Sequence, residues 1–296
     1  MISELTYVEE RQRAGCRTHY HDGIWWQQPW PLYAKPVFDF RAFPPGTARP
    51  LRVRALFGYS HQVPEAHMGN RSLEYMILEG EDLSSFSLDR LPAKKRNQVR
   101  KGLKQCEIQP LEAIESWLEH IREIYISQAQ RHTEFHDAPA TPPSFYVNHA
   151  DRWRKRELRY LTGAGREVWG ALVEGRLVGF LVSRQVEEVR VIEKVKSHSD
   201  YLQCCLSDGL YFTVLAETAR QGTCRRVVNP GVRGGGLDRY KEQFLFKRTE
   251  VPLYCSNVAL FHLGERLIAL RKWRRLFRGT KPQTGKDSAA RGTANG

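Results

Sequence analysis

The residues of this chain best suited to do chemistry fall in one stretch, Asn229 to Lys247, entered from the apolar pair Val227-Val228. Pro230 breaks the strand-like run, glycines follow at 234, 235 and 236, and a short helix-like segment then carries Tyr240 and Lys241. Consecutive glycines adopt backbone angles closed to other residues, so the chain can turn sharply or approach a ligand closely. A lysine at the exit of such a loop brings a positive charge to the place where a reacting group would sit. We take Lys241 and Tyr240 as catalytic candidates and the flanking Asn229 and Asp238 as substrate-binding candidates. The same stretch also reads as a surface loop closed by a solvated lysine.

Other groups compete with it. His198 and Asp200 follow a strand-like run and have the types of a general base and its partner, or of a loop histidine with a capping aspartate. His19-Tyr-His21 and His132-x-x-x-His136 have metal-like spacing, but the second lacks the glutamate of the HExxH pattern and borders a proline-rich loop, so no metal is expected. Gly234 to Gly236 lacks the G-x-G-x-x-G order of a dinucleotide fingerprint. Arg96 and Arg100 share a helix and suit the phosphates of a donor or acceptor, with a solvated basic face as the alternative.

The elements that must position these residues change character along the chain. Up to about residue 80 the chain is rich in aromatic residues, proline and histidine and weak in helical periodicity, with strands expected over Leu51–Tyr59 and Leu73–Leu78. Leu88 to Lys104 reads as a helix entered near Pro92, with Val99 and Leu103 toward the core and Arg96, Arg100, Lys101 and Lys104 near the surface. A short strand over Cys106–Gln109, a long helix over Leu111–Gln130, a loop over His132–Pro143 and a helix over Ser144–Glu157 follow. Strands are expected over Leu158–Leu161, Val168–Val173, Leu177–Ser183 and Val189–Val195, with Glu174-Gly175-Arg176 as a tight hairpin. A helix marked by Leu206, Leu210, Val214 and Leu215 should end at Gly222, before strands over Arg225–Asn229 and Val251–Tyr254. The order predicts an α+β or α/β fold with a mixed sheet.

Four segments result: an N-terminal β-rich lobe (1–87), a main domain (88–260), a basic amphipathic helix (261–278) and a tail (279–296) expected to be disordered. The net charge of +13 over 296 residues favours anionic partners such as nucleic acid, nucleotide-bearing substrates or acidic lipid. The six cysteines show no C-x-x-C pair, which suits free thiols in a reducing compartment. The N-terminus lacks a signal-peptide pattern and no run approaches the roughly 20 apolar residues of a membrane span, so a cytoplasmic protein is expected.

Two motifs, in this order around a β meander, resemble the acyl-CoA N-acyltransferase (GNAT) superfamily, and within it the Fem-type branch of peptidoglycan-bridge aminoacyl transferases and related acetyltransferase domains. The first is the basic helix Lys94-Lys-Arg-Asn-Gln-Val-Arg-Lys-Gly-Leu-Lys104. The second runs from Gly222 through Val227-Val228 to Gly236-Leu-Asp-Arg-Tyr-Lys-Glu-Gln-Phe244. The likeness covers about residues 88–255 and implies a mostly antiparallel GNAT-like sheet flanked by helices. In that setting the N-terminal lobe is either an accessory lobe or a degenerate second GNAT-like half.

The resemblance implies an amine attacking an activated acyl group, with Lys241 placed to serve the transition state beside Tyr240. Ordinary GNAT enzymes hold the coenzyme A pyrophosphate in a (Gln or Arg)-x-x-Gly-x-(Gly or Ala) loop ahead of a helix. Lys196-Ser-His-Ser-Asp-Tyr-Leu-Gln-Cys-Cys-Leu-Ser-Asp-Gly209 does not match it. The donor therefore stays open among acyl-CoA, acyl carrier protein and aminoacyl-tRNA, each a co-substrate rather than a tightly bound cofactor. The acceptor is expected to be a small-molecule or peptide amine. The alternative function is a non-enzymatic RNA-binding or membrane-surface module, resting on the 261–278 helix, which could also give an enzyme peripheral membrane contact.

Overall fold

The computed structural model describes residues 1–135, 141–232, 235–260 and 262. The expected 261–278 helix and the tail lie outside the described residues.

A helix not expected from the sequence opens the chain. In α1 (Glu4–Arg13) the Ser3 hydroxyl caps the first turn by accepting from the Thr6 N–H at 3.1 Å. Only Val8 is buried along it, so its apolar periodicity is faint. Strands β1 (Thr18–His21) and β2 (Ile24–Trp30) form a hairpin across Asp22-Gly23, whose φ angles of 50° and 74° are those of a two-residue turn that suits Asp-Gly.

β3 (Tyr33–Pro36) pairs parallel with β4 (Gly58–Gln62). Parallel neighbours need a long crossover, and residues 37–57 supply it. The strand expected over Leu51–Tyr59 is corrected accordingly: Arg52–Arg54 is a single 3-10 turn, and β4 begins only at Gly58. β5 (Arg71–Glu79) matches the expected Leu73–Leu78 strand, and a short helix α2 (Glu81–Ser84) follows.

The remaining elements are α3 (Ala93–Gln105), β6 (Glu107–Pro110), α4 (Ile114–Phe135), α5 (Pro143–Asn148), α6 (Ala150–Leu161), β7 (Arg166–Val173), β8 (Arg176–Val186), β9 (Val189–Ser197), α7 (Leu206–Gln221), β10 (Arg226–Asn229), α8 (Gly236–Glu242) and β11 (Lys247–Cys255). Two expectations are corrected here. The helix placed over Ser144–Glu157 is interrupted at His149, and Leu158–Leu161 is the last turn of α6 rather than a strand. Trp153, Glu157 and Leu161 recur every four residues and are buried together, a helical spacing that a four-residue window cannot reveal. The hairpin at Glu174-Gly175 forms as expected, with φ of 51° and 76°. Helix α7 ends at Gly222 in the left-handed region, its N–H reaching the Thr218 and Ala219 carbonyls.

The strands form an 11-stranded sheet in the order β1-β2-β3-β4-β11-β5-β10-β9-β8-β7-β6. It is antiparallel except at β3/β4 and β9/β10. This is the mixed, mostly antiparallel α+β architecture that the sequence implies. Alternation along β8 sends Leu181 to one face and Phe180 and Val182 to the other. On the first face Val99 of α3, Leu210 and Val214 of α7, and Phe244 pack with Met76, Leu78 and Val227. On the second, Leu118, Ile121 and Tyr125 of α4 pack with Trp153 of α6. Among the described residues no helix is long and apolar enough to cross a membrane.

Candidate active site

The sheet opens between β9 and β10. β9 and β10 pair only from Arg226↔Val189 to Val228↔Val191. β9 then continues to Ser197, while Asn229 ends β10 and Pro230-Gly231 turns away. Beyond Val191, β9 therefore keeps β8 on one side and parts from β10 on the other, and β10 leads through the glycine turn into α8.

Four of the eight candidate site residues gather at this opening. Successive side chains of β10 alternate faces, so Val227 joins the α7 core, Val228 a separate cluster with Phe38, Ile77 and Val251, and Asn229 returns to the α7 side. There its amide donates to the Tyr211 hydroxyl at 2.7 Å. Burial pushes the Tyr211 phenol up to about 12, with the Asn229 hydrogen bond opposing the shift. Tyr211 stacks on Phe244 and meets Tyr240 edge to face. Lys241 is 2% exposed and donates to the Gly231 carbonyl at 3.2 Å, with the buried Asp238 carboxylate 3.9 Å away. Gly231 takes φ 86°, so the turn that offers this carbonyl depends on glycine. The short helix α8 thus presents a buried ammonium to the end of β10.

Tyr240 shows a residue that the sequence reading passed over. Lys95 of α3 is 2% exposed and bonds Asp208 of α7 at 2.6 Å. Its ammonium lies 4.2 Å from the centre of the Tyr240 ring and 5.1 Å from that of Phe244. Burial, then the Asp208 charge, holds the Tyr240 phenol well above its usual value. Tyr240 is accordingly a neutral hydroxyl, suited to donating a hydrogen bond and not to acting as a base. The signal for Lys95 was present: it precedes Val99 by one helical turn, on the side already assigned to the core.

The other candidates are placed differently. Arg96 is half-buried and donates to the Asp89 carbonyl at 3.0 Å, tying down the turn before α3, and Arg100 is exposed. Among the described contacts neither meets Lys241 or Asn229. His198 follows β9, and its Nδ1 accepts from the Asp200 N–H at 3.4 Å, while the Asp200 carboxylate is exposed. Burial lowers the His198 pKa against the opposing Asp200 charge. The pair acts as a local cap on the turn Ser199–Cys204. His21 bonds the Arg49 carbonyl through Nδ1, and the side chain of His132 and all of His136 lie outside the described residues.

A second polar group lies on the opposite face of β9. Lys194 bonds Glu157 at 2.7 Å and the Tyr125 hydroxyl, and Lys196 bonds Gln128. Burial lowers the Lys194 pKa, with Glu157 pulling it back up. The strand-like alternation of Val189–Val195 concealed Lys194.

Helix α7 begins beyond β9, yet its first turn is not open. Asp208 brings its own charge there, paired to Lys95. A Cβ on Gly102 of α3 would lie 2.6 Å from the Cys205 carbonyl and 3.0 Å from the Gly209 nitrogen, so α3 crosses this end of α7 at backbone contact.

No family model matches the chain, and no curated protein matches it in sequence. Solved structures do match it in fold. The C-terminal domain of a protein from Agrobacterium fabrum assigned as a lysylphosphatidylglycerol synthetase superimposes with a TM-score of 0.55 at 12% identity, covering 92% of this chain and 91% of that one. FemX superimposes at 0.55 with 9% identity, covering 87% and 92%. L-PGS from Bacillus licheniformis gives 0.54 at 12% identity, covering 93% and 99%. The chain therefore shares its fold with FemX and L-PGS, and the likeness extends through the N-terminal residues as well as the region that carried the motifs.

Proposed function

We propose that this chain transfers an acyl or aminoacyl group from an activated donor to an amine, and that the opening between β9 and β10 is where the two meet. The observation that carries this reading is the buried Lys241 ammonium at the mouth of the opening, in a fold shared with FemX and L-PGS. The acceptor nitrogen attacks the donor carbonyl carbon, and the bond to the leaving oxygen or sulfur breaks. The amine gives up a proton and the leaving atom takes one. Lys241, kept beside Asp238, stabilises negative charge on the carbonyl oxygen without transferring a proton. The neutral Tyr240 hydroxyl and the Asn229–Tyr211 pair shape the adjoining wall.

Among donors, aminoacyl-tRNA fits best. A coenzyme A diphosphate would look for unshielded N–H groups at a helix N-terminus, and at α7 that position holds the Asp208 carboxylate under the backbone of α3. The +13 charge suits a polyanionic donor. The test is transfer by the purified full chain, using panels of aminoacyl-tRNAs and acyl-CoA thioesters with small-molecule amines and peptides as acceptors. Transfer from at least one donor is expected, reduced about 100-fold in Lys241→Ala with the circular dichroism spectrum kept. Absence of transfer from every donor refutes the proposal.

A further inference from the structure

Seven residues of the β3-to-β4 crossover carry four of the eleven large apolar side chains exposed among the described residues: Leu51, Val53, Leu56 and Phe57, at 38%, 69%, 61% and 46% exposure. Arg52 and Arg54 alternate with them, Arg49 precedes them, and all three are exposed, with no ion pair recorded for any of the three among the described residues. Apolar exposure concentrated in one short segment and interleaved with charge marks an interaction surface, whereas single exposed apolar residues need no account.

The segment is held in this display. The Phe57 N–H reaches the Leu32 carbonyl at 2.8 Å, and the Gln28 amide reaches the Arg54 carbonyl at 2.6 Å. At its start the Arg49 N–H bonds the Asp22 carboxylate at 3.1 Å, and the Arg49 carbonyl is bonded by His21. Ala55 turns inward against the Trp26, Phe43 and Ala48 cluster, and that filled core leaves the larger side chains outside.

We propose that the 49–57 crossover docks the protein on an anionic lipid surface. Leucine, valine and phenylalanine enter the boundary between headgroups and acyl chains, while arginines extend to the lipid phosphates above them. Each arginine near such a surface adds attraction that falls off within a Debye length. RNA would satisfy the arginines and leave the apolar side chains in water, so the combination favours lipid. This surface stands independently of the acyl-transfer reading.

Co-sedimentation of the full chain with phosphatidylcholine vesicles, with and without 30% phosphatidylglycerol (a chosen composition of roughly physiological anionic content), tests it. The native chain should partition onto the anionic vesicles. Combined Val53→Ser, Leu56→Ser and Phe57→Ser should weaken that partition at least about tenfold, because several apolar side chains no longer leave water. Arg52→Gln with Arg54→Gln should weaken binding to the anionic vesicles only, and reports on the surface even where the serine variant does not fold. Both variants are repeated with Arg271, Lys272, Arg274 and Arg275 changed to Gln, which separates the crossover from the basic C-terminal segment. Unchanged partition in the serine variant overturns the proposal. So does a loss of tRNA binding, or of self-association by light scattering, while vesicle binding stays native.

Discussion

Lys95 and Asp208 show how a single buried contact can hold three elements together. The pair joins α3 to α7 and lies beneath the Tyr240 and Phe244 rings. Removing one partner of a buried ion pair strands the other charge, at a cost of about 3–5 kcal/mol. Lys95→Met or Asp208→Leu should each lower the unfolding free energy measured by urea denaturation by that order. The double substitution should recover much of the loss, because neither charge then remains buried, and a double variant less stable than both singles would contradict the pairing. Sequence reasoning found Lys241, Tyr240, Asn229 and Asp238 because an unusual glycine-rich turn draws attention to its neighbours. It passed over Lys95 because that lysine looks like the exposed Lys94, Lys101 and Lys104 around it. Burial is decided by which helix packs alongside, and one-residue chemistry does not carry that.

The crossing of α3 over the start of α7 belongs to the element scale. Gly102 and Gly209 let two backbones touch, and a methyl group on Gly102 would meet the Cys205 carbonyl, which is fixed backbone and not a movable side chain. Gly102→Ala should therefore destabilise the fold by about 1–3 kcal/mol, read from chemical denaturation, although alanine usually favours a helix interior. A stabilised variant would mean that the helices do not cross this closely. The strands were legible because β7, β8 and β9 are long and apolar and joined by tight hairpins. The errors fell on short windows. Leu158–Leu161 has a strand's composition but belongs to a helix whose spacing shows only from Trp153 onward. Leu51–Phe57 alternates like a strand yet spans the gap between two parallel neighbours, where no partner strand waits for it.

At the scale of the whole molecule, three histidines set a pH window. His19, His61 and His198 all have pKa values lowered by burial, and His61 stacks on Phe43 within the core. A folded-state pKa below the unfolded value of about 6.5 means that the unfolded chain binds more protons throughout the interval between them. The contribution of these groups to stability is complete above about pH 6.5 and is lost as pH falls through their folded-state values. Urea midpoints should hold near pH 7.5 and drop toward pH 5, above the range where carboxylates begin to protonate. His61→Gln should flatten that drop, and an equally steep one in the variant would remove His61 from the account. The strands that flank the proposed lipid-facing crossover, β3 and β4, and those that flank the opening, β9 and β10, belong to one sheet, joined through β11 and β5.

By itself the sequence determined the class of fold, the glycine turn with its lysine, and a strongly positive molecule. These follow from local periodicity, from the special backbone freedom of glycine and from summed charge, all of which are properties of neighbours along the chain. Tertiary structure alone decided that β9 and β10 part after Val191, that Lys95 is buried against Asp208, and that Leu51, Val53, Leu56 and Phe57 are exposed. Each of these depends on which distant segments compete for the same space and the same hydrogen bonds. The glycine turn took its significance from that competition: the carbonyl of Gly231 meets the Lys241 ammonium only because β10 ends where β9 runs on.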